Sequence, residues 1–193
     1  MDSLIGFVGE GYVLLAADSS QARSILMMKT DEDKILSLDD QRLLAAAGEH
    51  GDKVQFTEYI QRNIALYNLR TGAPLSTKAV AHYTRGELAH ALRSKPYSVN
   101  MLIGGFDAEQ GPSLYFLDYL ASLHKMDFAC QGYAGYFLMG LFDKYYKKGM
   151  NLEEGLKLLQ LCVDQLKTRF IINSPNFVVK IVTKDGIKVI NKA

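Results

Sequence analysis

The sequence predicts an α+β protein built in layers, with helices outside and sheets inside. Strand-like and helix-like segments come in blocks (strands, two helices, strands, two helices, strands) rather than in the strict alternation of a doubly wound sheet. Each helical segment has one apolar stripe to bury, and the strand segments are apolar enough to be covered. A chain of 193 residues suits one compact core, so a single domain spanning residues 1–193 is expected.

The first block of strands covers the opening 48 residues. Leu4–Val8 and Tyr12–Ala17 are apolar runs separated by Gly9-Glu10-Gly11, a hairpin turn; Lys34–Leu38 and Arg42–Gly48 repeat the pattern around Asp39-Asp40-Gln41. Helical spacing follows. Phe56, Ile60, Ile64 and Tyr67 draw one stripe over Gly51–Arg70, and Val80, Thr84, Leu88 and Leu92 a weaker one over Ser76–Leu92, with Ser76 as N-cap. Strands return at Val99–Phe106 and Ser113–Leu117 around a turn containing Gly111-Pro112, and a shorter pair spans Ala121–Ala129. Gly135–Tyr146 and Leu152–Phe170 are the next helices. The second is the clearest, with Leu152, Leu156, Leu159, Val163, Leu166 and Phe170 in one stripe and Asn151 with Glu154 as a capping box. Phe177–Thr183, a Lys184-Asp185-Gly186 turn and Ile187–Ile190 close the chain.

Composition narrows the function classes. Hydrophobic residues at 48% and charged residues at 22% describe a globular chain rather than a disordered one. A net charge of +1 gives no bulk attraction to nucleic acid or to an anionic membrane. The two cysteines, Cys130 and Cys162, are too few for a disulfide scaffold and read as small apolar residues in a reducing compartment. Met1-Asp2-Ser3-Leu4-Ile5 lacks the basic and apolar regions of a secretory signal, and no apolar run reaches the roughly 18 residues of a membrane span.

Several segments, in order, carry a resemblance. Tyr12-Val-Leu-Leu-Ala-Ala-Asp18-Ser19, Gly48-Glu-His-Gly51-Asp52 and Gly104-Gly105-Phe106-Asp107 resemble the second strand, the strand-to-helix junction and the central strand ending of proteasome beta subunits. Val54-Gln-Phe-Thr-Glu-Tyr-Ile-Gln61, Pro96-Tyr-Ser-Val-Asn-Met-Leu-Ile103 and Leu117-Asp118-Tyr119-Leu120-Ala121 resemble, more narrowly, the branch at the fourth beta-ring position. The resemblance implies a four-layer αββα sandwich of the N-terminal-nucleophile hydrolase type. It also implies membership of two stacked seven-membered beta rings capped by alpha-subunit rings.

Active members of that family attack the peptide carbonyl with an N-terminal threonine whose own amine is the base, beside a lysine and an aspartate. Matching Asp18 to the aspartate puts Lys34 at the lysine and Asp2 at the threonine. Asp2 offers no hydroxyl, Met1 holds its nitrogen in an amide, and a single residue precedes it where active members carry a propeptide. Tyr133 and Asn173 stand where the family has serines, and Phe170 where it has an aspartate; Gly48 keeps the position whose N–H stabilises an oxyanion. The resemblance therefore implies a non-catalytic subunit with no catalytic residues, in which Asp18 and Lys34 persist as a structural ion pair.

Rival sites are weaker. A hydrolase using Ser3 would move the nucleophile one position along a strand, to the opposite face from Lys34. Cys130 with His124 or His50 matches no thiol-hydrolase signature, and His50, His82, His90 and His124 lack metal-ligand spacing. Gly104-Gly105 is too short for a phosphate loop, and Tyr145-Tyr146-Lys147-Lys148 reads as a helix end with cations rather than a nucleic-acid site. A stand-alone binding module is the remaining alternative. The expected partners are neighbouring beta subunits, alpha-ring subunits and the opposite beta ring, with no nucleic acid, membrane, cofactor or metal, and the expected location is cytoplasm and nucleus.

Overall fold

The structure is a computed structural model describing residues 2–23, 26–170 and 176–190. In chain order its elements are β1 (Ser3–Gly9), β2 (Tyr12–Asp18), β3 (Gln21–Arg23), β4 (Leu26–Lys29), β5 (Ile35–Asp39), β6 (Arg42–Gly48), α1 (His50–Thr71), α2 (Thr77–Ala91), β7 (Val99–Asp107) and β8 (Gly111–Leu117). They continue with β9 (Leu123–Met126), β10 (Phe128–Gly132), α3 (Ala134–Tyr145), α4 (Leu152–Arg169), β11 (Phe177–Thr183) and β12 (Gly186–Ile190).

Two antiparallel five-stranded sheets result, ordered β10-β1-β2-β11-β12 and β5-β6-β7-β8-β9. Strand alternation then sorts the side chains into three apolar layers. Leu4, Val13, Leu15, Leu43, Ala45, Leu102 and Leu114 meet between the sheets. The other faces of the same strands put Ile5, Phe7 and Leu14 under α3 and α4, and Leu44, Ala46 and Ile103 under α1 and α2. This is the αββα sandwich that the resemblance implied. It also explains why β1, β2 and β6 are almost continuously apolar: both faces of each strand are buried.

The helix ends follow their sequence signals. Ser76 accepts a hydrogen bond from the Ala79 N–H, and Asn151 with Glu154 forms a reciprocal capping box at 2.9 and 3.0 Å. Elsewhere the structure departs from expectation. The β3–β4 hairpin goes unmarked in the sequence, because Leu26, Met27 and Met28 are exposed and make no alternating pattern. The segments within Ala121–Ala129 do not pair with each other. The chain crosses between layers at Asp127, so β9 edges one sheet and β10 the other, and the Val8 N–H binds the Asp127 carbonyl. Pro112 lies in β8 rather than in the turn, where β9 does not extend to require its missing N–H. Tyr67 is 45% exposed because α1 runs past its sheet beyond Ile64, and the buried stripe begins instead at Lys53. The α4 stripe is rotated toward Gly155, Leu158 and Cys162, leaving Leu152 at the surface.

Candidate functional site

The site forms where the start of β1 meets the open end of the β5–β6 hairpin. Lys34, just before β5, extends a fully buried side chain between two carboxylates. Its Nζ lies 2.7 Å from Asp2 Oδ1 and 2.9 Å from Asp18 Oδ2, and donates to the Ser20 carbonyl at 2.7 Å. Asp18, at the end of β2, is fixed from its other oxygen by the Ser3 N–H at 2.7 Å. The second oxygen of Asp2 accepts the Gly48 N–H at 2.9 Å. One carboxylate thus holds both the buried lysine and the N–H expected to stabilise an oxyanion.

Two glycines make that geometry possible. Gly48 ends β6 with φ at +146°, and a Cβ there would fall 2.0 Å from the Ser98 carbonyl oxygen. Gly132 ends β10 with φ at +68°, where a Cβ would fall 2.1 Å from the Asp2 carbonyl oxygen. The close approach lets the next residue, Tyr133, donate its N–H to that same oxygen at 3.0 Å. Asp2, Gly48, Ser98, Gln131, Gly132 and Tyr133 line an open cavity of about 530 Å³.

The charges are mutually dependent. Burial opposes ionisation of Asp2, but Lys34, Lys53 and the Gly48 N–H outweigh it and hold the carboxyl below its ordinary value. For Lys34 burial disfavours the charge, and the flanking carboxylates of Asp18 and Asp2 prevail, so the ammonium is held more firmly than usual. Asp18 moves the other way: its near-complete burial, with Asp2 sharing the same lysine, pushes it up despite Lys34 and the Ser3 N–H.

Asp2, Asp18, Lys34, Gly48 and Tyr133 are therefore brought together as expected from the sequence. Tyr133 and Phe170 stack with ring centroids 5.1 Å apart, forming an apolar wall beside the cavity. Asn173 lies outside the described residues. Ser3 follows the strand alternation away from Lys34, toward the side of Ile5, and its N–H is committed to Asp18. Cys130 is buried under α3 and α4, and burial with Cys162 nearby pushes its thiol up; burial moves Cys162 up to about 12. Neither thiol is poised to ionise.

Sequence reasoning missed Lys53. It projects inward from α1 with only 7% exposure, its Nζ 3.6 Å from Asp2 Oδ2 and 3.3 Å from Glu32 Oε1. The signal was present: Lys53 precedes Phe56, Thr57 and Ile60 at the spacing of the buried stripe. Among the described residues no group of three or more His, Cys, Asp or Glu side chains is arranged to hold a metal ion. No described helix is long and apolar enough to cross a membrane.

Comparison with known proteins agrees with this architecture. Residues 2–182 match the Proteasome family, described as proteasome subunit. The chain is 51% identical to proteasome subunit beta type-2-B of Arabidopsis thaliana, over 97% of this chain and 94% of the relative. It is likewise 51% identical to proteasome subunit beta type-2 of Dictyostelium discoideum, over 98% and 97% respectively. Proteasome subunit beta type-4 of Saccharomyces cerevisiae is 43% identical over 97% of this chain and 96% of its own. From its fold, its site and these matches, the chain belongs to the proteasome subunit family, among the beta subunits.

Proposed function

We propose that the chain is a non-catalytic structural beta subunit of the proteasome core particle, a single domain over residues 1–193 that holds the fourth beta-ring position. In this reading it is needed to assemble the beta ring, and hence for ATP- and ubiquitin-dependent protein degradation in cytoplasm and nucleus. Its partners are the neighbouring beta subunits, alpha-ring subunits and the opposite beta ring, while cleavage takes place on other subunits and no cofactor is required.

The observation that carries the proposal is the double engagement of Asp2. Peptide cleavage needs a hydroxyl near Lys34 and a free N–H for the negative charge of the tetrahedral intermediate. Here a carboxylate lies 2.7 Å from Lys34 and takes the Gly48 N–H at 2.9 Å. A second anion at that N–H would meet the like charge of the carboxylate already bonded to it. The arrangement supports an architectural role and opposes a hydrolytic one.

The test uses intact particles and a threonine-directed covalent inhibitor. We expect adducts on other beta subunits and none on this chain, because Asp2 has no hydroxyl to react. A mapped adduct on the N-terminal segment of this chain would overturn the non-catalytic reading.

A further inference from the structure

A cleft of about 840 Å³ opens between α2 and the edge strand β9, away from the Asp2 site. Lys78, His82 and Arg85 line it from one face of α2, at helical spacings of four and three. His124 and Lys125 line it from β9, and no carboxylate contributes. In a chain with 22 basic and 21 acidic residues, such a segregation is not what mixing would produce. Lys78 and Arg85 lie two turns apart on that face, and no ion pair among the described residues neutralises either of them or Lys125. The acids of adjoining segments are turned elsewhere: Glu87 accepts the Tyr59 hydroxyl, and Asp118 accepts the Leu120 and Ser122 N–H groups.

One member of the basic wall is held in place. Arg85 donates through Nε to the Ala121 carbonyl at 3.3 Å. Ala121, with φ at +63°, sits in the turn that Asp118 ties together, so one end of the guanidinium is fixed to the protein. Across Gln110 lies a second cavity, of about 890 Å³, carrying four carboxylates (Asp39, Asp40, Asp107 and Glu109) against two cations, Arg42 and Lys184. Its Arg42 is already engaged by Asp39 and Asp107. The face is therefore polarised, basic on one side and acidic on the other.

We propose that the basic cleft is a docking site for an acidic segment of an adjacent proteasome subunit, its Asp or Glu carboxylates seated among Lys78, Arg85 and Lys125. The proposal rests on the reading of the chain as an assembled subunit. A polypeptide suits the cleft better than a compact phosphate. From Lys78 to Arg85 the helix rises roughly 10 Å at about 1.5 Å per residue, which spreads the cations along a line. The N–H groups at the start of α2 face the other way, where Thr77 N binds Asp107, so the cleft lacks a helix-terminus phosphate cradle. Arg85, tied to the Ala121 carbonyl before binding, loses little freedom on docking, which favours specificity.

The experiment is zero-length carbodiimide coupling on intact particles, which joins amines only to carboxylates or phosphates in direct contact. We expect Lys78 or Lys125 to become linked to an Asp or Glu of another subunit. Lys78→Arg with Lys125→Arg, which keeps the charge but removes the amine, should abolish the link and leave incorporation unchanged. The exposed triple reversal Lys78→Glu, Arg85→Glu, Lys125→Glu, competed against a tagged wild-type copy, should lower its share in particles by about tenfold or more, since opposed like charges at an interface are costly. Unfolding of that variant is measured alongside, and an unchanged midpoint assigns the loss to docking. Incorporation at parity, or both lysines acylating freely in the particle, would overturn the cleft proposal. Links only to nucleic acid or lipid phosphate would overturn it equally. Failure of the wild-type copy to enter particles would instead strike the assembly reading itself.

Discussion

Two buried cations sit at opposite ends of the β5–β6 hairpin, each between two carboxylates, and they differ in an instructive way. Lys34 lies 2.7 Å from Asp2 and 2.9 Å from Asp18; Arg42 lies 2.8 Å from both Asp39 and Asp107. Both cations are buried and doubly paired. The distinction is where the remaining carboxylate oxygens go. Both oxygens of Asp107 take the Thr77 N–H at 3.0 Å, an orphan donor at the start of α2 that any such helix must satisfy. The spare oxygen of Asp2 takes the Gly48 N–H, a donor at a bend that glycine alone adopts comfortably. One network supports a helix; the other, in the proposed reading, fills the place of a reacting oxygen. A buried ion pair therefore says little by itself about history or role.

Removing each cation tests how alike the clusters are. Lys34→Ala leaves Asp18, 1% exposed, without a cation and Asp2 with Lys53 alone at 3.6 Å, and we expect it to lower stability by about 3–5 kcal/mol. Urea unfolding of the purified chain measures this, and the peptidase activities of whatever particles assemble should be unchanged per particle. Loss of one peptidase activity with normal assembly would give Lys34 a catalytic part. Arg42→Ala should cost less, about 1–3 kcal/mol, because Asp39 and Asp107 are 17% and 10% exposed and border a cavity that water enters. Equal losses would mean that position, not solvent access, sets the cost.

The Asp2 carboxylate sharpens the comparison further. Its folded pKa is depressed, so its stabilisation is present above the unfolded value near 3.8 and is lost as pH falls through the lower folded value. Asp18, raised instead, contributes with the opposite sign and weakens the fold as pH rises through its folded value. Asp2→Asn should thus be less stable than wild type at neutral pH, with the gap closing below about pH 4. Asp2→Gly would leave Lys34 and the Gly48 N–H around a space the size of a carboxylate. Acetate should return about 1.4 kcal/mol at tenfold excess over its Kd, and chloride at equal ionic strength should not. Equal recovery with chloride would show general screening and no shaped site.

Much of this was legible in the sequence, and the rest was hidden for physical reasons. Continuous apolar runs located β1, β2 and β6, because both faces of each are buried, and helical periodicity located α1, α2 and α4. The Asn151 capping box needs only residues three apart, so it was readable. The resemblance pointed to Asp2, Asp18, Lys34 and Gly48. Arg42 with Asp107 went unseen, since the partners are 65 positions apart and neither has a local signature. The divergence of β9 and β10 to separate sheets was equally hidden, because a strand's partner is settled by packing and not by its own pattern.

The smallest effect is expected from the most direct repair. Installing threonine at position 2 and exposing its amine restores a hydroxyl beside Lys34 and frees the Gly48 N–H, yet peptidase activity should stay below about a hundredth of an active neighbour's. That loose bound follows from the roughly 10²-fold cost of geometric errors near 1 Å and from the non-additivity of catalytic groups that work as a unit. The structure supplies the reason. Tyr133, at a position to which the resemblance assigns serine in active members, turns an aromatic ring onto Phe170, at a position to which it assigns aspartate, with centroids 5.1 Å apart. That stack offers neither hydroxyl close to the backbone nor carboxylate to organise a threonine amine, and its apolar faces disfavour the charge separation of proton transfer. The assay requires particles whose native sites are disabled and whose new N-terminus is verified by mass. Vigorous cleavage from Asp2→Thr alone would show that the Asp2 carboxylate was the sole block, and that Tyr133 and Phe170 are bystanders to chemistry the Lys34 cluster can still perform.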